Sequence, residues 1–124
     1  MNMDLPEKAK LLRIFIGEMD KVAHVPLYEA IIREARAAGL AGATSWRGIM
    51  SFGPTSRIRS AKILDISADL PVVVEIVDEE ERVDAFLPKL AELFKAACSG
   101  GLVTLEKVEV IRYAHGCQKE RNEN

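Results

Sequence analysis

Pro71-Val72-Val73-Val74-Glu75-Ile76-Val77-Asp78-Glu79-Glu80-Glu81 is the stretch on which the fold turns. Its first eight residues form a β-branched run with one charge near the middle, the composition of a buried strand. Acidic residues then gather, as they do at the positive end of a helix, and Asp78 reads as the cap. Val83, Leu87, Leu90 and Phe94 follow at helical spacing as the core stripe. Pro88 lies inside that helix and is expected to kink it, because it removes a hydrogen bond and crowds the preceding turn. Ser99-Gly100-Gly101 breaks the helix, and Leu102 to Tyr113 reads as a second long strand.

Working back towards the N-terminus, the same unit recurs. From Lys10 to Gly17 the side chains alternate, with Leu12, Ile14 and Ile16 on one face and Leu11, Arg13 and Phe15 on the other. Gly17-Glu18-Met19-Asp20 ends the alternation. Pro26 suits the first position of a helix carrying Leu27, Ile31, Ala35 and Ala38, and Gly39 suits its left-handed end. Ala43 to Phe52 returns to period two, with Thr44, Trp46, Met50 and Phe52 on one face. Gly53-Pro54-Thr55-Ser56 is a turn or loop, and Arg59 to Ile66 is weakly strand-like.

Two strand–helix–strand units split around a central hairpin give an α+β, ferredoxin-like (βαββαβ) two-layer sandwich: one antiparallel sheet with both helices on one face. The single domain spans residues 10–114, with flexible tails at 1–9 and 115–124. The uncovered sheet face is expected to carry large apolar residues and so to mark an interface. A closed homo-oligomer would cover it; three copies would enclose the sheets, with two or four as alternatives.

Composition narrows the function classes. The chain has 124 residues and a net charge of −2, which argues against duplex nucleic acid as the main partner. Cys98 and Cys117 lack the spacing of a zinc or redox motif and read as reduced thiols. No apolar run approaches the ~20 residues of a membrane span, and the first residues do not have the pattern of a signal peptide. The expected location is cytoplasmic, without membrane insertion.

Several segments together carry a resemblance. They include Leu12-Arg13-Ile14-Phe15-Ile16-Gly17-Glu18, Pro26-Leu27-Tyr28-Glu29-Ala30, Gly39-Leu40-Ala41-Gly42-Ala43-Thr44, Arg47-Gly48-Ile49-Met50, Ser56-Arg57-Ile58, Asp69 through Asp78, and Gly101 through Glu106. In this order the chain resembles the PII-like family known as domain of unknown function 190, from about Leu11 to Tyr113, and more distantly the PII nitrogen-signalling proteins. Arg59-Ser60, where His-Thr is common, and His24 depart from the family pattern.

The resemblance implies a trimer that binds adenine nucleotides between subunits and touches a transporter, channel or enzyme through a loop, here about Gly53 to Ala68. Gly42-Ala43-Thr44 keeps the adenine-recognising threonine, and Ser99-Gly100-Gly101 keeps the glycine character of the phosphate loop. The lysine after that loop is Leu102. Of two arginines near the C-terminus, Arg112 fills the first position and Ala114 replaces the second. The loop glutamine that helps hold magnesium and 2-oxoglutarate falls at Thr55, and the lysine that pairs with the keto acid falls at Val72. Each missing cation removes a charge-assisted hydrogen bond of roughly 1.5–3 kcal/mol, so two losses weaken triphosphate binding by about a hundredfold or more. A less charged ligand, AMP, ADP or a cyclic nucleotide, fits better, and no cofactor is obligatory. The expected ligand contacts are Thr44, Gly53, Gly100, Gly101 and Arg112, with Arg57 and Arg59 facing a partner. Arg47, Arg57 and Arg59 are further sources of positive charge.

Competing readings rest on single residues. A small enzyme on the same fold would draw on Glu18, Glu75 or His24 as acid–base groups. A metal-responsive oligomer would need more ligands than His24, His115 and two unpaired cysteines supply. Gly100-Gly101 reads equally as a helix end, Trp46, Met50 and Phe52 as sheet or interface core, and Arg57 and Arg59, with no evident local carboxylate, as solvated surface. No nucleophile elbow, Walker loop or metal helix motif is present, so the chain is not expected to be an enzyme.

Overall fold

The strand β1, Lys8–Gly17, alternates as its sequence dictates: Leu12, Ile14 and Ile16 are buried, whereas Phe15 is exposed. A computed structural model gives the structure of the protein and describes residues 8–62 and 69–117. The tails expected at 1–9 and 115–124 fall largely outside the described residues. Helix α1 covers Leu27–Ala37, β2 Thr44–Arg47, β3 Pro71–Asp78, α2 Glu80–Ala97 and β4 Leu102–Glu109. The four strands form one sheet in the order β2-β3-β1-β4, every neighbour antiparallel. This is the ferredoxin-like arrangement, with a two-residue hairpin (Lys21–Val22 with Val25–Pro26) before α1 and another (Met50–Ser51 with Arg59–Ser60) between β2 and β3.

One sheet face is dry. Leu12, Ile14 and Ile16 of β1 and Val72, Val74 and Ile76 of β3 pack against Leu27, Ile31 and Ala35 of α1 and Val83, Phe86, Leu90 and Leu93 of α2. The α1 stripe is as expected. On α2 the expected Leu87 and Phe94 are only partly buried and flank a stripe centred on Phe86 and Leu93. The helix continues through Pro88.

The ends of the elements depart from the sequence reading for local reasons. Pro26 is the residue before α1, not its first, and the Leu27 N–H is satisfied by the Asp20 carbonyl at 2.7 Å. Gly39 does take the left-handed conformation after α1. After α2 that conformation falls to Cys98 (φ 51°), so Gly100-Gly101 is not the helix cap. The expected strand Ala43–Phe52 stops at Arg47. Gly48 donates its N–H to the Pro71 carbonyl, and a Cβ there would come within 2.8 Å of the Pro71 ring, so the chain leaves the sheet at the residue that has none. Met50 and Phe52 stand exposed on the separate hairpin, not on the sheet. The weak strand expected from Arg59 to Ile66 is paired only at Arg59–Ser60: Ala61 and Lys62 form a turn, and residues 63–68 lie outside the described set.

Candidate functional site

The face of the sheet away from the helices is built in three rows across the strands. Leu102, Phe15, Val73 and Trp46 make one row. Thr104, Arg13, Glu75 and Thr44 make the next, and Glu106, Leu11 and Val77 the third. The large apolar residues expected on this face are there, with Leu102, Phe15 and Trp46 exposed in the first row. The middle row carries charge: Arg13 Nε donates to Glu75 Oε2 at 2.7 Å, and Nη1 to Glu106 Oε1 at 3.3 Å. Trp46 Nε1 donates to the other Glu75 oxygen at 3.2 Å. The Arg13 guanidinium, helped by Trp46, holds the Glu75 carboxyl below its usual range, and the carboxylates in turn raise Arg13.

At the third-row end of this face lies a cleft of about 560 Å³. Leu11, Val77 and Glu75 form its floor. Ala41 to Thr44 form one wall, and Val110, Arg112 and Tyr113 form the other. The second wall exists because β4 ends at Glu109, short of the expected Tyr113. The freed segment reaches back to the opposite edge of the sheet, where the Tyr113 hydroxyl donates to the Ala41 carbonyl at 2.8 Å.

The first wall is held by Asp78, which is fully buried at the end of β3. One carboxylate oxygen accepts the Ala41 N–H at 2.9 Å, and the other accepts the Glu79 N–H at 2.7 Å. Arg82 stands 3.7 Å from the first oxygen and also reaches the Gly39 carbonyl. The residue before α2 is Glu79, with no capping side-chain bond of its own. The expected cap is therefore displaced by one residue: Asp78 precedes the N-cap and bonds the Glu79 N–H, not an amide of the first turn, and its other oxygen holds the cleft wall at Ala41.

Of the residues singled out from sequence, Thr44 and Arg112 meet in this cleft, beside Gly42 and Ala43. Among the described residues Arg112 makes no ion pair. Gly100 and Gly101 are elsewhere. A Cβ at Gly101 would lie 2.6 Å from the Phe15 carbonyl and from the Phe94 ring, so close packing alone requires glycine there. Phe15 and Leu11 are four residues apart on β1, about 13 Å. Gly53 is exposed in the hairpin turn, where its carbonyl accepts the Ser56 N–H at 2.8 Å.

Arg57 is exposed, but Arg59 has a carboxylate partner after all: it pairs with Asp69. Arg47 likewise pairs with Glu18. His24 is exposed at a tight turn with positive φ, beside Ala23. No group of three metal-ligating side chains gathers among the described residues. Cys98 and Cys117 are exposed and unbridged. Among the described residues no helix is long and apolar enough to cross a membrane.

Comparison with known proteins accords with the architecture. A UPF0166 protein of Aquifex aeolicus is 43% identical over 104 residues, covering 84% of this chain and 94% of its own. A UPF0166 protein of Methanocaldococcus jannaschii is 34% identical over 105 residues, covering 85% and 94%. Among solved structures, CPII from Thiomonas intermedia K12, a nitrogen regulatory PII-like protein bound to ADP, AMP and bicarbonate, superposes with a TM-score of 0.64. It is 20% identical, over 90% of this chain and 94% of CPII. A protein of Thermus thermophilus described as PII-like gives 0.60 at 22% identity, over 88% and 94%. These two likenesses establish the fold. The family model DUF190, described as an uncharacterized ACR, matches residues 9–110, and the chain belongs to that family.

Proposed function

We propose that this chain is a PII-like regulator, not an enzyme, that binds an adenine nucleotide of low charge and acts on a transporter, channel or enzyme through the loop from Gly53. One observation carries the reading: Thr44 and Arg112, far apart in sequence, line one cleft. Leu11, Val77, Ala43 and Val110 offer apolar surface to a flat base, and Thr44 and the neighbouring backbone offer polar groups to its edge. Arg112 is the single cation of the lining, enough for a mono- or diphosphate or a cyclic phosphate and poor for a triphosphate. CPII, with ADP and AMP bound, supports this ligand class.

The same reading makes the protein a cytoplasmic homo-oligomer, with three copies closing a ring. Gly100-Gly101 is too far along β1 to serve the cleft of its own chain, and a neighbouring copy would bring it to that cleft. Arg57, exposed on the hairpin between β2 and β3, faces the partner; Arg59, tied to Asp69, shapes the hairpin root.

Calorimetry with AMP, ADP, cyclic AMP and ATP tests the proposal. AMP or ADP is expected to bind more tightly than ATP with magnesium, and Arg112→Ala to weaken that binding by about tenfold or more. Silence across the whole panel overturns the nucleotide reading.

A further inference from the structure

The excursion between β2 and β3 forms a two-stranded ribbon of its own, apart from the four-stranded sheet. Met50 pairs with Ser60 and Ser51 with Arg59. The Ser56 N–H donates to the Gly53 carbonyl at 2.8 Å, and Ser56 takes the left-handed conformation at φ 59°. That geometry belongs to a three-residue turn, Pro54-Thr55-Ser56. The same register sets Phe52 opposite Ile58 and Gly53 opposite Arg57. Period two then puts Met50, Phe52 and Ile58 on one face of the ribbon, and Arg57 and Arg59 on the other.

Ile49, Met50, Phe52 and Ile58 are each more than half exposed. Apolar side chains gathered in this way mark a contact surface. The charge of the ribbon is one-sided as well. From Arg47 to Lys62 the sequence holds four basic residues and no acidic one, in a chain whose net charge is −2. Arg47 and Arg59 are neutralised at the root of the ribbon by Glu18 and Asp69. Arg57 and Lys62 stand exposed, and Arg57 makes no ion pair among the described residues.

A protein partner would have to offer a pocket shaped to these side chains. A lipid interface asks only that apolar groups reach the acyl boundary while cations stay among the headgroup phosphates. The long stems of Arg57 and Lys62 let their charges do so. The rest of the chain is net acidic, so an anionic surface attracts the ribbon and repels the body, which orients the approach. We propose that the ribbon from Ile49 to Lys62 adsorbs to an anionic lipid bilayer, seating Met50, Phe52 and Ile58 at the headgroup boundary without spanning it. The proposal deepens the partner reading of the same loop, on which it rests, and is independent of the nucleotide reading.

Flotation of the full chain with protein-free vesicles tests it, with equal parts of phosphatidylglycerol and phosphatidylcholine set against phosphatidylcholine alone. The chain is expected to float with the anionic vesicles at low salt, to stay behind with the neutral ones, and to be released as salt rises. Arg57→Glu reverses the exposed charge and should weaken that binding by at least about tenfold, and Phe52→Ser by at least about fivefold. Both residues are exposed, so the urea midpoints of the two variants should match that of the unaltered protein. Failure to float with anionic vesicles at low salt overturns the proposal, and so does binding that survives either substitution unchanged. Retention on native membranes but not on protein-free vesicles assigns the ribbon to a membrane protein, which overturns the lipid contact and leaves the partner reading standing.

Discussion

The two faces of one sheet are built from the same strands yet serve opposite ends. On the helix side, Leu12, Ile14, Val74 and Ile76 are almost completely buried and bear no polar atom on their side chains. On the other side, one residue along each strand, Arg13 and Glu75 form an ion pair that keeps about a third of each side chain in solvent. The first face gains by excluding water, so any loss of volume is felt at once. The second keeps polar groups wet and oriented, which suits a surface that meets a ligand or another subunit. Alternation with period two is what lets one strand do both.

The comparison breaks most visibly at its dry side. Leu12→Ala removes a completely buried side chain between β3 and β4 and should cost about 2–5 kcal/mol in urea unfolding. The residual cavity decides where in that range it falls. A cost near that of an exposed substitution would mean that the helices do not close over β1 as described.

Glu75→Gln probes the wet side and should cost less, because its carboxylate is part-exposed, but the loss should depend on pH. Arg13 and Trp46 hold the folded-state carboxyl below its ordinary value of 4.5, so the charged form is favoured by folding. A depressed carboxylate stabilises the fold above its unfolded pKa, and that contribution fades as pH falls through the folded one. The gap in urea midpoint between the unaltered protein and Glu75→Gln should therefore be open at pH 7 and close as the pH drops below 4.5. A gap independent of pH would show that packing, not the ion pair, holds the middle row.

The dry face was largely legible in the sequence and the wet one only in part, for a physical reason. Leu12, Ile14 and Ile16 announce their burial by spacing alone, as do Leu27, Ile31 and Ala35. The meeting of Glu75 with Arg13 and Trp46 depends on strand register, which no local pattern encodes. Thr44 and Arg112 were reached through family resemblance, not periodicity. Asp78 was read as a helix cap because acidic residues follow it, whereas its bond to the Ala41 N–H became visible only once α1 and β3 were side by side. Gly48 carried a readable signal that the alternation masked: a glycine inside a strand pattern often marks the place where the chain departs.

The smallest expected change sharpens the comparison most, because it separates stability from binding on the wet face. Tyr113→Phe deletes the hydroxyl that ties the C-terminal segment to the Ala41 carbonyl and leaves the ring in place. A neutral hydrogen bond of this kind contributes about 0.5–1.5 kcal/mol, and the residue is half-buried, so unfolding should shift only towards the low end of that range. The bond nonetheless fixes where Arg112 stands, one residue before it in the cleft wall. Nucleotide affinity measured by calorimetry should therefore fall by more than the stability change alone accounts for. If affinity held while stability dropped, Arg112 would be positioned by its own backbone, and the segment from Val110 to Tyr113 would cover the cleft without organising it.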